Sequence, residues 1–138
     1  MDKTVAQLLD EKGRDVISVR PTDSVMQALS VMTEKNVGAH VVMDGEKLAG
    51  IFSERDFARK QILYGNASAN NTVSQLMTAE VITAKPGNTL DECMAIMTER
   101  RFRHMPVVDG DKVIGVISAT DLIRESISAQ DLAAELMR

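Results

Sequence analysis

Apolar positions along the chain follow a helical period in some stretches and form short runs in others. Behind Ser24, whose spacing from Gln27 is that of a capping box, apolar residues recur at helical spacing and predict an amphipathic helix. These residues are Val25, Ala28, Leu29 and Met32. The runs VVM and KLAGIF then flank Asp44-Gly45, a strong signal for a β-hairpin.

The whole pattern occurs a second time. Residues 16–60 align with residues 81–125 at an offset of 65 positions without a gap, and roughly a third of the pairs are identical. Just upstream, TVAQLL at 4–9 matches TVSQLM at 72–77, now at an offset of 68. In the second copy Thr89 and Glu92 have capping-box spacing, and PVV and KVIGVI flank Asp109-Gly110. The repeat indicates a pseudo-symmetric structure.

Each copy is interpreted as the same series of elements. A short strand, over 16–19 or 81–84, ends at a proline, and the amphipathic helix and the hairpin follow. A second helix is predicted from Asp56 or Asp121. The order β-α-β-β-α, found twice, predicts an α/β (α+β) fold.

The predicted boundaries are a first repeat over 1–64, a linker over 65–71, a second repeat over 72–127 and a C-terminal helical tail over 128–138. The small, polar stretch GNASANNT at 65–72 indicates the linker. In the tail, Ile127, Leu132 and Leu136 have near-helical spacing behind Ser128. This spacing favours a short packing or dimer-contact helix over a frayed end.

Composition excludes several classes of function. Sixteen basic and 20 acidic residues give a formal net charge of -4, and three Phe, one Tyr and no Trp offer few stacking surfaces, so no nucleic-acid partner is expected. No long apolar run and no signal-peptide pattern is present, so we expect a cytoplasmic protein without membrane contact. Neither a P-loop nor a dinucleotide motif occurs, so no enzyme activity is expected.

Metal and thiol chemistry are not expected either. Cys93 is the only cysteine and occupies an apolar helical position, so we predict a buried thiol, with no disulfide and no multi-cysteine zinc site. His40 and His104 are too few for a histidine metal site, and no acidic cluster has calcium-loop spacing. No metal is predicted.

The motif G-apolar-apolar-Ser-x-x-Asp-apolar appears as GIFSERDF at 50–57 and GVISATDL at 115–122, each time after a strand, helix and hairpin. With this motif the chain resembles a tandem pair of cystathionine-β-synthase (CBS) domains, a Bateman module, over nearly all of residues 4–125. It further resembles small stand-alone bacterial CBS-pair proteins. The resemblance implies two repeats packed sheet to sheet, adenosine-containing ligands in the cleft between them, and a homodimer.

The second strand-helix join allows two interpretations. Ser118 and Asp121 can cap the helix, because Ser-x-x-Asp satisfies free amides at a helix start. Alternatively, the helix start receives a phosphate with help from the Ser118 and Thr120 hydroxyls, and Asp121 accepts hydrogen bonds from a ribose. Capping accounts for Ser118 and part of Asp121, whereas Thr120 is better explained by a ligand.

In the first copy the corresponding residues are Ser53, Arg55 and Asp56. Arg55 places a cation where the second copy has a hydroxyl, which favours a more highly charged phosphate chain, and a solvated surface arginine is the alternative. The resemblance implies that each pocket combines the two repeats. Opposite Ser118, Thr120 and Asp121 it places Lys12, Ile17, Val37, Gly38, Ala39 and His40. Opposite Ser53, Arg55 and Asp56 it places Ile82, Arg103, His104, Met105 and Pro106.

The function that the resemblance implies is regulatory. The expected ligand is AMP, ADP, ATP or NAD(H), and Arg55 and Arg103 favour phosphate-bearing ligands over the cationic S-adenosylmethionine. An energy or redox sensor of this kind would signal through a separate effector protein or through assembly. The alternative is a structural dimerisation or interaction module without ligand binding.

Overall fold

The computed structural model describes residues 3–64 and 70–137, apart from the side chains at 64, 128–133 and 135. Most of the predicted linker, residues 65–69, lies outside this range. The described helices are α1 (Val5–Lys12), α2 (Val25–Lys35), α3 (Glu54–Tyr64), α4 (Val73–Leu76), α5 (Leu90–Arg100) and α6 (Ala119–Leu136). The strands are β1 (Ser18–Val19), β2 (Ala39–Asp44), β3 (Lys47–Ser53), β4 (His104–Asp109) and β5 (Lys112–Ser118). The predicted mixed α/β class is confirmed.

The chain forms two compact units whose limits differ from those of the sequence repeats. The first unit is Val16–Val81, and the second unit joins Met1–Asp15 to Ile82–Arg138. Helix α1, which belongs to the predicted first repeat over 1–64, therefore packs in the second unit, and α4, from the predicted second repeat over 72–127, packs in the first. Each unit completes its fold with the helix at the start of the other repeat.

The first unit contains a three-stranded sheet in the order β1-β2-β3. Strand β1 is parallel to β2, with Ser18 beside Val41, and β2 is antiparallel to β3. The predicted hairpin is confirmed, because β2 ends at Asp44 and the chain turns at Gly45, which has a positive φ of 63°. Glycine adopts this φ without the steric cost that a side chain brings.

In the second unit β4 and β5 form the equivalent antiparallel hairpin. The predicted strand over 81–84 is wrong in extent, since only a single parallel bridge joins Ala84 to Val107. Proline explains the loss. In the first unit the Val41 amide donates to the Ile17 carbonyl at 3.2 Å, whereas the corresponding residue, Pro106, has no N–H to donate.

The helices that follow the hairpins begin two residues earlier than predicted. Helix α3 begins at Glu54 and α6 at Ala119, so Asp56 and Asp121 are each the third helical residue. The serine directly before each helix acts as its N-cap, which is why the helix starts ahead of the aspartate. The tail is not a separate helix, because α6 continues without a break through residue 136.

Two glycines allow close packing of the hairpins against chain segments that belong to the other repeat. A Cβ atom built at Gly115 would lie 2.7 Å from Cδ2 of Leu9 in α1. One built at Gly50 would lie 2.7 Å from the Thr78 carbonyl oxygen and 2.8 Å from the sulfur of Met77, which follows α4. The two glycines are equivalent in the repeat, so the motif glycine marks the place where α1, or the chain directly after α4, packs against the hairpin.

The core of each unit includes side chains of the helix from the other repeat, α1 or α4. Val5, Leu8 and Leu9 of α1 are buried with the apolar residues of the second repeat, including Cys93. Val73 and Leu76 are buried with those of the first repeat. Burial and the charge of Glu92 raise the pKa of the Cys93 thiol to about 11. The prediction of a buried thiol is confirmed.

His40 is a polar residue inside the first unit, with only 1% of its surface exposed. Its Nε2 lies 3.1 Å from the Ala28 carbonyl oxygen, and its ring centroid lies 6.0 Å from that of Phe52. The Nδ1 atom is buried without a hydrogen-bond partner among the described residues. Burial lowers the pKa of His40 and outweighs the opposite effect of the hydrogen bond to Ala28.

We expect Gly50→Ala to lower the free energy of unfolding by about 1–3 kcal/mol, because its new methyl group would press on a backbone carbonyl. Gly115→Ala should cost less, since it meets the flexible end of a leucine. Urea denaturation measures both. Gly87→Ala is the matched control, with open space around its Cβ position and no positive φ. Equal stability of Gly50→Ala and Gly87→Ala would contradict this account of the close approach.

We also expect His40 to make the protein less stable in mild acid. The unfolded chain protonates His40 near its ordinary pKa of 6.5, whereas burial keeps the folded form neutral to lower pH. Stability is therefore lost as pH falls below 6.5 toward the folded pKa, by at most about 1.4 kcal/mol per pH unit. His40→Met, which copies the equivalent residue Met105, should flatten that part of a urea-denaturation pH profile.

The control for this pH experiment is His104→Ala, which copies the equivalent first-repeat residue, Ala39. It should leave the part of the slope assigned to His40 in place. A profile that is unchanged in His40→Met would show that another group produces the acid sensitivity.

Candidate functional site

In each unit the start of one hairpin strand lies beside the start of the following helix. In the second unit His104 pairs with Ser118, and the Ala119 amide donates to the Arg103 carbonyl at 2.8 Å. In the first unit Ala39 pairs with Ser53, and the Glu54 amide donates to the Gly38 carbonyl at 3.0 Å. The structure thus brings the predicted turn residues and the predicted helix-start residues of each unit to one sheet edge.

Both joins are reciprocal helix caps. The Ser118 amide donates to Oδ2 of Asp121 at 2.8 Å, and the Asp121 amide donates to Oγ of Ser118 at 3.1 Å. The Ser53 amide and hydroxyl both donate to Oδ2 of Asp56 at 3.0 Å, and the Asp56 amide donates to Oγ of Ser53 at 3.1 Å. The capping interpretation of serine and aspartate is confirmed, and such caps contribute about 0.5–2 kcal/mol.

The two carboxylates differ in their other partners. Nζ of Lys12 lies 2.5 Å from Oδ2 of Asp121 and 2.7 Å from the Val116 carbonyl oxygen. Oδ1 of Asp56 instead accepts a hydrogen bond from the Thr78 hydroxyl at 3.1 Å. Asp121 is therefore paired with a cation, and Asp56 with a neutral group.

The contact with Thr78 was not predicted. The upstream match between the repeats ends at residue 77, and the preceding helices are offset by 68 rather than 65 positions. Residue 10, which lies 68 positions before Thr78, is an aspartate that pairs with Arg14. Nothing in the repeat therefore signals a hydroxyl beside Asp56.

Electrostatics keep Asp121 ionised at neutral pH. Burial by itself raises the pKa of this carboxyl group, but the hydrogen bonds from Lys12 and from the backbone amide of Ser118 outweigh burial and lower it. The side chain of Asp121 is 13% exposed, and that of Lys12 is 37% exposed. A negative charge is thus held close to the surface beside the start of α6.

The predicted site residues differ in accessibility. Exposed residues are Lys12, Arg55, Arg103 and Thr120. Partly buried residues are Ile17, Val37, Gly38, Ser53, Asp56, Ile82, His104, Ser118 and Asp121. Buried residues are Ala39, His40, Met105 and Pro106. The side chain of His40 turns into the core of its unit, and the grouping of residues from the two repeats into shared pockets stays a prediction.

Among the described side chains, no group of three His, Cys, Asp or Glu residues is arranged to hold a metal ion. Within residues 3–64 and 70–137, no helix has the length and apolar character needed to cross a membrane.

We expect Lys12→Met to raise the pKa of Asp121, because the substitution removes the cation that favours the ionised carboxyl group. The contribution of Asp121 to stability is present above its ordinary pKa of 3.8 and is lost as pH falls through the lowered folded value. In Lys12→Met this loss should be smaller and should be complete at a higher pH, because the folded pKa lies closer to the unfolded one. An NMR titration of the Asp121 side-chain carboxyl measures the change.

Lys112→Met is the control for this titration, because it removes the same charge at the start of β5, whereas Asp121 follows its other end. A pKa of Asp121 that rises equally in both variants would attribute the effect to net charge rather than to the ion pair.

Comparisons with known proteins identify the repeat. The family model of the CBS domain matches residues 7–62 and again residues 73–128. Among solved structures, the CBS-domain protein NE2398 is 46% identical with a TM-score of 0.86, and the match covers 91% of this chain and 98% of that one. The CBS domain pair of protein MJ0100, solved in complex with 5'-methylthioadenosine and S-adenosyl-L-methionine, is 25% identical with a TM-score of 0.82, over 94% of this chain and 99% of that one.

A longer relative matches as well. The mitochondrial CBS domain-containing protein CBSX3 of Arabidopsis thaliana is 35% identical over 130 residues, which are 88% of this chain. The match spans only 63% of the length of that relative. With both repeats matched by the family model, the chain belongs to the CBS domain family and carries two CBS domains in tandem.

Proposed function

We propose that the chain is a regulatory module that binds an adenosine-containing ligand through the carboxylates of Asp56 and Asp121. The observation that carries the proposal is the occurrence, in both units, of an ionisable carboxylate in the first turn of a helix beside the start of a hairpin strand. The adenosine compounds bound by the CBS pair of MJ0100 support this class of ligand.

A carboxylate at this position suits a ribose. Ionised aspartate only accepts hydrogen bonds and has about four lone-pair positions on its two oxygens. The cap occupies Oδ2 of each aspartate with the serine amide, and at Asp56 with the serine hydroxyl as well. Oδ1 of each carboxylate keeps acceptor capacity for a ribose hydroxyl. Hydrogen bonds to a charged group contribute roughly 1.5–3 kcal/mol each.

The surroundings of each carboxylate suit a phosphate. Helices α3 and α6 present their positive dipole ends at the joins. Thr120 and Arg55 are exposed in the first turns of these helices, and Arg103 is exposed on the turn beside Ala119. These groups favour AMP, ADP, ATP or NAD(H) over a ligand that carries a cationic sulfonium.

The proposed role is that of an energy or redox sensor. Ligand binding would change the packing of the protein by a coupling free energy of roughly 1–3 kcal/mol, and a separate effector protein would respond to the change. A homodimer in the cytoplasm and the absence of a catalytic step belong to the same proposal. CBS pairs matched over 90% or more of both chains, such as NE2398, support a function for the CBS pair by itself.

We expect Asp56→Asn and Asp121→Asn each to weaken one binding event by roughly 10- to 100-fold, because the ribose loses a charged acceptor. Asparagine keeps an oxygen that can accept the serine amide, so the cap survives. Calorimetric titration of the nucleotide-stripped protein with AMP, ATP, NAD and S-adenosylmethionine measures the change. Asp44→Asn, the same substitution at the hairpin end of β2, should bind like the wild type.

The alternative function makes the opposite prediction. If none of the four compounds binds the folded wild-type protein at millimolar concentration, the module is structural and acts through dimerisation or interaction. Sedimentation of the same samples tests the homodimer independently of the ligand.

A further inference from the structure

Lys12 forms an ion pair with the Asp121 carboxylate. Its ammonium group lies 2.5 Å from Oδ2 of Asp121 and 2.7 Å from the Val116 carbonyl oxygen. The same Oδ2 accepts the Ser118 amide at 2.8 Å. One oxygen of the proposed ribose acceptor is therefore already hydrogen-bonded to a backbone amide and to a cation.

A ribose that uses both carboxylate oxygens must compete with this lysine. The Ser118 amide belongs to the helix cap and stays in place, so Lys12 is the group that can leave. With its side chain 37% exposed at the C-terminal end of α1, the lysine has room to move. Its displacement breaks an ion pair and a hydrogen bond to a carbonyl.

The chemistry of the ligand decides whether this loss is recovered. An uncharged nucleoside offers no negative charge to the displaced ammonium group. A nucleotide offers phosphate oxygens, which form charge-assisted hydrogen bonds with lysine. The flexible four-carbon stem of lysine allows such an exchange of partners.

The Asp56 join lacks this feature. Its additional partner is the Thr78 hydroxyl, 3.1 Å from Oδ1. A hydroxyl both donates and accepts, so it can rotate to accept a hydrogen bond from a ligand without separating charges. The two carboxylates, equivalent in the repeat, thus present different electrostatic conditions to a ligand.

From this difference we infer that Lys12 is a specificity-determining residue: it blocks uncharged nucleosides from Asp121 and admits ligands whose anionic group receives the displaced ammonium. The inference rests on the proposed function, because it concerns the same ribose acceptor. It assigns the exclusion of uncharged nucleosides to Asp121 and not to Asp56.

The test compares AMP with adenosine by calorimetric titration. In the Asp56→Asn variant only Asp121 keeps its carboxylate, so binding reports mainly on the Asp121 site. The double variant Asp56→Asn/Lys12→Met removes the lysine from that site. We expect the preference for AMP over adenosine to fall roughly tenfold in the double variant, with adenosine binding more tightly than before. Circular dichroism and urea denaturation establish that the variants are folded.

Two controls isolate the ion pair. Asp56→Asn/Lys112→Met removes the same charge at the start of β5 and should keep the preference of Asp56→Asn. In an Asp121→Asn background, which leaves the Asp56 site, Lys12→Met should leave the ratio of the two affinities unchanged.

The possible outcomes separate the inference from the proposed function. Any of three results overturns the inference and leaves the proposed function intact. They are an unchanged preference for AMP over adenosine, weaker adenosine binding in the double variant, and an equal change of the affinity ratio in the Asp56→Asn and Asp121→Asn backgrounds. Binding by Asp121→Asn but not by Asp56→Asn does the same, because Asp121 then binds no ligand. Failure of folded wild-type protein to bind either compound at millimolar concentration overturns both.

Discussion

Each unit is organised by the close approach of a segment of the other repeat to a glycine in its hairpin. Gly115 meets Leu9 of α1, Gly50 meets Met77 and Thr78 directly after α4, and neither contact leaves room for a methyl group. The apolar side chains of α1 and α4 then complete the two cores. The same glycine begins the motif G-apolar-apolar-Ser-x-x-Asp, so the packing contact lies on the strand that leads into the join.

The joins place helix capping and the proposed ribose recognition on the same residues. Ser118 and Asp121 satisfy amides at the start of α6, as Ser53 and Asp56 do at the start of α3. A cap needs only part of the acceptor capacity of a carboxylate. A reciprocal cap is therefore compatible with the proposed ribose recognition, and it holds the side chain of the aspartate in one orientation.

Two copies of one sequence pattern have acquired different local chemistry. A proline at 106 removes an amide that Val41 uses to extend its sheet, which reduces the first strand of the second repeat to a single bridge. His40 places a polar ring in a core position that Met105 fills with a thioether. The partners of the two carboxylates diverge most, because they come from outside the aligned repeats, where the offset changes from 65 to 68 residues.

Aligning the sequence with itself revealed the repeat, and spacing within a few residues predicted its amphipathic helices, the hairpins at Asp-Gly and the Ser-x-x-Asp joins, but not α1 or α4. The sequence also predicted the buried thiol, and its resemblance to CBS domains named the family. The tertiary structure alone decided that α1 packs in the unit of the second repeat and that Thr78 contacts Asp56. Such contacts join residues more than 20 positions apart, and they depend on how whole elements pack, which local periodicity does not encode.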